Sequence, residues 1–104
     1  MQKVAFTMQL KPGFKEEYKK RHDEIWPTLS EALKEAGIYD YSIFLDETSG
    51  MLFAVQKLED GHTSAQLPEL EIMQKWWAYM EDIMETNPDH SPVVKPLKMV
   101  FHME

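Results

Sequence analysis

The apolar residues of this chain switch between two spacings, and the order of the switches constrains the fold more than any other feature. Residues 4–10 alternate between apolar and other side chains, the period of a strand with one buried face. The apolar residues of 14–36 then fall three or four apart, which is typical of an amphipathic helix that closes near Gly37. Pro27 lies inside this stretch, so we expect a kink or a break there.

The second half of the chain adds three strands and one helix. Alternating segments at 38–46 and 51–58 flank a short turn and predict a hairpin. A helical stripe covers 73–84, and a last alternating segment runs over 97–103. The order β-α-β-β-α-β predicts an α+β, ferredoxin-like domain in which two helices cover one face of a four-stranded sheet.

The two faces of the predicted sheet differ in polarity. Alternation assigns the helix-facing side to two sets, Tyr39, Tyr41, Ile43 and Leu45, and Met51, Phe53 and Val55. The opposite face would then carry Thr7, Gln9, Ile38, Asp40, Ser42, Leu52, Ala54, Gln56 and Val100. This mixture is too apolar for a fully hydrated surface, so we expect two copies to pack sheet against sheet as a homodimeric α+β barrel.

Composition limits the classes of partner and compartment. A length of 104 residues fits one domain, 1–104. Eighteen acidic against eleven basic residues give a net charge of −7, which disfavours nucleic acid and anionic membranes as partners. The chain has no cysteine and no apolar run of signal-peptide or membrane-spanning length, so we expect a cytoplasmic protein.

Five aromatic or polar-tipped side chains converge if this fold is correct. Tyr18 and His22 lie in the first helical stripe, Tyr41 lies on the helix-facing side of a strand, and Trp76 and Trp77 come from the second helix. Indole faces suit the C–H surface of a sugar, and tyrosine or histidine tips suit its hydroxyls. Each residue also has a structural interpretation, because a lone histidine on an apolar stripe is more often a satisfied core group.

Metal and cofactor sites have little support in the sequence. The four histidines, at positions 22, 62, 90 and 102, lack the spacing of a helical ligand pair. The four glycines are scattered and form no phosphate-binding loop. We therefore expect neither a metal nor a cofactor.

Four separated motifs resemble one family. They are YxxRHxxIWP at 18–27, YxIxLD at 41–46, QxWWxYM at 74–80 and NPDxSP at 87–92, and together they are similar to the L-rhamnose mutarotases over nearly the whole chain. The resemblance implies a dimeric α+β barrel, a cofactor-free isomerase site and L-rhamnose as the substrate, in the cytoplasm. It also implies that His22 is the proton donor and that Tyr18, Tyr41, Trp76 and Trp77 contact the sugar.

Three points stay open at this stage. The base that accompanies His22 is either Tyr41, acting through a water, or His22 itself used a second time. The same barrel also accommodates a small monooxygenase or haem-degrading enzyme, in which His22 would ligate iron, or a sugar-binding module without turnover. Asp89 either borders the pocket or forms an Asx turn with Asn87 nearby.

Overall fold

The structure is a computed structural model that describes residues 2–104. Within that range, strands and helices follow the predicted order: β1 (Gln2–Gln9), α1 (Lys15–Asp23), α2 (Pro27–Glu35), β2 (Ile38–Leu45), β3 (Met51–Leu58), α3 (Glu71–Met80) and β4 (Lys95–Leu97). Two 3-10 helices, Ser64–Glu69 and Glu81–Ile83, flank α3. None of the helices in residues 2–104 has the length and apolar character needed to cross a membrane.

The strands form one antiparallel sheet in the order β2-β3-β1-β4. The helices cover one of its faces, and the core includes Leu29, Leu52 and Ile83, the largest of the fully buried side chains. The predicted α+β class and the predicted hairpin are confirmed.

The predicted break in the first helical stripe is confirmed at Pro27. α1 ends at Asp23, and Trp26 takes an extended conformation with φ −61° and ψ 128°. A residue before proline is pushed out of the helical region by the proline ring, while proline itself suits the first position of the next helix. One apolar stripe is therefore divided between two short helices, which meet the sheet at independent angles.

A β-bulge changes the predicted side assignment at the start of β2. The register shifts between Tyr39 and Ser42, and Asp40 adopts a left-handed φ of 46°. Tyr41 stays on the helix-facing side with Ile43, but Ile38 pairs with Leu58 and is buried, while Tyr39 pairs with Lys57 and is 41% exposed. The prediction for Ile38 and Tyr39 was wrong because an extra residue reverses the alternation and leaves no mark in the hydrophobic pattern.

The faces of β3 are also reversed relative to the prediction. Leu52, Ala54 and Leu58 are buried under the helices, whereas Phe53 lies on the outer face opposite Thr7 and Phe44. Both sets of alternate residues in this strand are apolar, so the pattern alone cannot decide which set faces the helices.

The last predicted strand is much shorter than expected. β4 covers Lys95–Leu97, and residues 98–104 continue as exposed chain with no strand or helix among them. The side chain of Val100 is 90% exposed and that of Phe101 78%. An alternating apolar segment without a covering layer in its own chain is a surface that another polypeptide could cover.

Candidate functional site

A large open cleft separates α1, α2 and α3 from the inner face of the sheet. Its volume is about 1180 Å³, above the roughly 300–1,000 Å³ common for small-molecule pockets. All five candidate residues line it: Tyr18, His22, Tyr41, Trp76 and Trp77. The fold thus brings together side chains that are up to 59 positions apart in the sequence, counted from Tyr18 to Trp77.

Two aromatic rings and one hydrogen bond fix the position of the His22 ring. It stacks on Tyr18 with ring centroids 4.3 Å apart and meets Trp76 edge-on at 5.4 Å. Its Nδ1 lies 3.1 Å from the backbone oxygen of Tyr18. A carbonyl oxygen only accepts hydrogen bonds, so Nδ1 must carry the proton, and the free lone pair of the neutral ring is on Nε2.

The cleft also determines the charge state of this ring. Burial lowers the pKa of His22 from 6.5, although the hydrogen bond to Tyr18 and the charge of Asp23 oppose this effect. At neutral pH the ring is therefore uncharged, with Nε2 able to accept a proton.

The two tyrosines of the cleft are hydrogen-bond donors rather than bases. Burial raises the pKa of Tyr18, and the nearby Tyr41 raises it further. Burial also raises the pKa of Tyr41, against the opposing effect of a hydrogen bond with Gln56. Many protein atoms surround Tyr41, but 38% of the residue is accessible to solvent because the cleft is open. Both hydroxyls stay protonated at neutral pH.

The two tryptophans have different surroundings. Trp76 is buried and packs edge-on against Trp26, with ring centroids 5.1 Å apart. Trp77 is only partly buried and lines the cleft on the next position of α3. Neighbouring helical positions lie about 100° apart, so α3 presents one indole as part of the core and the other as a wall.

The structure adds a residue that the sequence interpretation assigned to the wrong face. Gln56 lines the cleft and hydrogen-bonds Tyr41. It was predicted on the outer face because the sides of β3 were reversed. Its amide supplies a donor and an acceptor beside the tyrosine hydroxyl, which suits a polyhydroxylated ligand.

The segment after α3 contributes a different residue from the one considered. His90, with φ 72°, lines the cleft, and its Nδ1 pairs with Glu81. Asp89 is not among the residues that line the cleft; its carboxylate accepts the backbone N–H of Ser91 at 3.0 Å. The Asx-turn interpretation of Asp89 is therefore the one the structure supports.

The remaining histidines lie apart from His22. His62 hydrogen-bonds Ser64 through Nδ1 at 2.9 Å, and His102 lies in the exposed C-terminal segment. Within residues 2–104, the histidine and carboxylate side chains form no group of three that would hold a metal ion.

Comparison with known proteins agrees with this geometry. The chain matches the L-rhamnose mutarotase family model over residues 3–103. It is 60% identical to the L-rhamnose mutarotase of Sinorhizobium fredii over 103 residues, 99% of each chain. The crystal structure of an L-rhamnose mutarotase from Formosa agariphila is 48% identical, with a TM-score of 0.93 over 100% of both chains.

A more distant structure shares the fold alone. An antibiotic biosynthesis monooxygenase is 16% identical, with a TM-score of 0.57 over 96% of this chain and 99% of its own. Sequence identity of 48–60% over almost the entire length, by contrast, is shared only with sugar mutarotases among these proteins. This chain belongs to the L-rhamnose mutarotase family.

Proposed function

We propose that this protein interconverts the α and β anomers of L-rhamnose, and that His22 carries the proton in both directions. The observation that supports this assignment is the hydrogen bond between His22 Nδ1 and the Tyr18 carbonyl at 3.1 Å. It leaves Nε2 as the proton-exchanging atom of a ring that lines the cleft.

The chemistry requires one proton to move between two oxygens of the sugar. Ring opening breaks the bond between C1 and the ring oxygen while a C1=O1 double bond forms. The proton on O1 must leave, and the ring oxygen must gain one. Rotation of the free aldehyde and closure from the other side give the second anomer. Protons are conserved over the cycle, so one group that accepts and then returns a proton is sufficient.

His22 is better suited to both steps than either tyrosine. Its lowered pKa makes Nε2 a base at rest, and the imidazolium formed by the first transfer is then the acid. Tyr18 and Tyr41 have raised pKa values and are therefore poor bases. As hydrogen-bond donors they would stabilise negative charge on the sugar oxygens as the ring opens. Of the two possibilities left by the sequence, we choose a second use of His22.

The walls of the cleft suit a 6-deoxy sugar. Trp77 and Tyr41 offer a flat apolar face and a hydroxyl, and Gln56 adds an amide. The floor includes Met8 and Leu52 from the sheet, which are apolar partners for the methyl group that replaces a hydroxymethyl group in L-rhamnose.

We further propose that two copies assemble through the outer face of the sheet, and that the protein acts in the cytoplasm as one domain, 1–104. Phe44 is 65% exposed and lies directly opposite Phe53 on that face. The exposed apolar segment 98–104 begins at the same sheet, directly after β4. Exposed apolar residues at both edges of the sheet, β2 and β4, support a self-complementary interface. The absence of cysteine fits a reducing compartment.

Saturation-transfer NMR on equilibrated L-rhamnose tests the enzymatic assignment. One anomeric proton is irradiated in the presence of a catalytic amount of protein, and the loss of signal from the other anomer is measured. We expect exchange with the wild type and a fall of about 10² to 10⁴ in His22→Ala, the range for loss of a general acid–base group. His102→Ala, in the exposed C-terminal segment, is the matched control and keeps the wild-type rate.

Other results of this experiment have clear meanings. Equal exchange in the wild type and His22→Ala would remove His22 from the chemistry. Binding of L-rhamnose without exchange above the buffer rate would identify a sugar-binding module instead of an enzyme.

A further inference from the structure

The guanidinium of Arg21, next to His22 in α1, joins α1 to the end of α3. Its Nη1 donates to the Tyr79 carbonyl at 2.7 Å and to Asp82 Oδ1 at 2.9 Å. Its Nη2 donates to Asp82 Oδ2 at 3.2 Å, and its Nε donates to Glu17 at 2.7 Å. The Arg21 side chain is only 10% exposed, whereas that of its partner Asp82 is 65% exposed. We call this set of contacts the Arg21 clamp.

The clamp is connected to the cleft through aromatic rings. The Arg21 guanidinium lies 4.5 Å from the centroid of Tyr79. The Tyr79 ring packs against Trp76 at 5.7 Å, and Trp76 in turn meets His22 at 5.4 Å. The contacts thus lead from Arg21 through two aromatic rings of α3 to His22, which follows Arg21 directly in the sequence. The rings on α3 and the imidazole on α1 are thus located with respect to each other by one charged side chain.

Helix α1 has few other means of keeping its position. Tyr18 is its one buried residue, and the helix spans only nine residues. It is separated from α2 by the break before Pro27. A short and mostly polar helix obtains little stability from propensity or burial, so specific side-chain contacts must fix its position.

We propose that Arg21 is a positioning residue for the mutarotase reaction: through Asp82 and Tyr79 it fixes α1 against α3, and thereby His22 against Trp76. Arg21 does not line the cleft and does not touch the sugar. Its effect on the reaction is through the placement of Nε2, and a displacement of about 1 Å from the productive geometry can cost on the order of 100-fold in rate. This inference rests on the function proposed above.

The planar geometry of arginine is part of the inference. One side chain donates to Glu17, to the Tyr79 carbonyl and to both oxygens of Asp82 while it lies over a ring. A lysine ammonium has three donors on one nitrogen and cannot reach these acceptors together. Arg21→Lys therefore retains the charge but loses the clamp.

The experiment compares anomer exchange in Arg21→Met, Arg21→Lys, Asp82→Asn and the double variant Arg21→Met/Asp82→Asn. Rates are taken at saturating and limiting L-rhamnose, at a temperature where circular dichroism shows each variant to be folded. We expect kcat to fall about tenfold or more in Arg21→Met with KM changed less than about threefold. Arg21→Lys should not restore kcat. The double variant should be no slower than Arg21→Met, because both changes remove the same contact.

Lys75→Met is the matched control, because Lys75 does not line the cleft. It removes the pair between Lys75 and Glu71, 3.1 Å apart, on the exposed side of α3. We expect it to leave kcat unchanged. An unchanged kcat in folded Arg21→Met, or effects of the two single changes that add up in the double variant, would overturn the inference. If Arg21→Met does not fold, an unchanged kcat in folded Asp82→Asn and Arg21→Lys overturns it equally.

A spectroscopic measurement separates this inference from the proposed activity. The ring protons of His22 lie near two aromatic rings, so their NMR shifts report on the position of the imidazole without any substrate. Asp82→Asn should move these shifts and Lys75→Met should not. Absence of exchange in the wild type would refute the proposed function, whereas His22 shifts that are identical in wild type and Asp82→Asn would refute the clamp.

Discussion

Replacement of Phe44 by alanine should dissociate the proposed homodimer while the fold persists. Phe44 lies on the outer face of the sheet, opposite Phe53. Phe44 is 65% exposed in the single chain, which is unusual for a phenylalanine in a strand. If a second copy covers this face through a two-fold interface, each copy buries its own Phe44 ring there. One substitution therefore removes two buried rings from the dimer.

The magnitude follows from the exposed area. A phenylalanine buries about 150–250 Å² when covered, so 65% exposure leaves roughly 100–160 Å² for an interface. At about 25 cal/mol per Å², this area is worth roughly 2.5–4 kcal/mol in each copy. Association offsets part of this gain through ordering of side chains and loss of motion. A loss of about 3 kcal/mol for both copies together corresponds to a dimer Kd about 100-fold higher.

Analytical ultracentrifugation over a concentration series measures this Kd directly. Leu70→Ala is the control, because Leu70 is an exposed apolar residue that precedes α3 and lies outside the sheet. We expect a wild-type Kd that Leu70→Ala preserves and Phe44→Ala raises about 100-fold. A wild type that stays monomeric at all concentrations, or a Phe44→Ala variant with the wild-type Kd, would refute a dimer built on the outer face of the sheet.

Four further predictions concern the cleft and the turn at Gly37. The pKa of His22 in the folded protein is lowered from 6.5, so the unfolded chain binds more protons than the folded one as pH falls through 6.5. The free energy of unfolding should therefore be fully retained above pH 6.5 and decrease below it. Urea titrations at several pH values should show a smaller decrease for His22→Gln. The exchange rate should stay level down through pH 6.5 and fall only at lower pH, where His22 of the folded protein takes up a proton, since only neutral Nε2 accepts a proton. L-Mannose carries a hydroxyl on the carbon that is the methyl group of L-rhamnose. Its kcat/KM should be lower by at most about 100-fold, because an apolar pocket rejects an added hydroxyl only weakly. Equal rates for the two sugars would disprove a methyl-binding floor at Met8 and Leu52. Gly37→Ala should lower the free energy of unfolding by about 1–3 kcal/mol, because Gly37 has φ +90° and an added Cβ would lie 2.8 Å from Glu59 Cγ. Gly13→Ala is the control, because Gly13 has φ +87° but an added Cβ there meets no atom within 4 Å. It measures the cost of the left-handed backbone without the steric contact.

The periodicity of the sequence predicted the elements but not the sides of the strands. The break at Pro27 was visible because proline has a fixed φ and a direct effect on the residue before it. The faces of β3 were not visible, because Phe53 and its alternates are as apolar as Leu52 and its alternates. Apolar residues on both faces leave the choice of the helix-covered face undetermined.

The bulge at Asp40 illustrates the same limit inside the site. Tyr41 was placed correctly on the helix-facing side, but its neighbours Tyr39 and Ile38 were not, because the extra residue lies between them. Asp40 has a left-handed φ of 46°, a conformation that aspartate tolerates. The presence of an aspartate at this position is the only trace of the bulge in the sequence. Gln56 was missed for the related reason that the faces of its strand were assigned from apolarity alone.

The two local irregularities both lie in elements that line the cleft. The break before Pro27 separates α1, which carries Tyr18 and His22, from α2. The bulge at Asp40 places Ile38 in the core while Tyr41 still lines the cleft. Because the break leaves α1 only nine residues long, with one buried side chain, the helix relies on Arg21 and Asp82 to keep His22 in place.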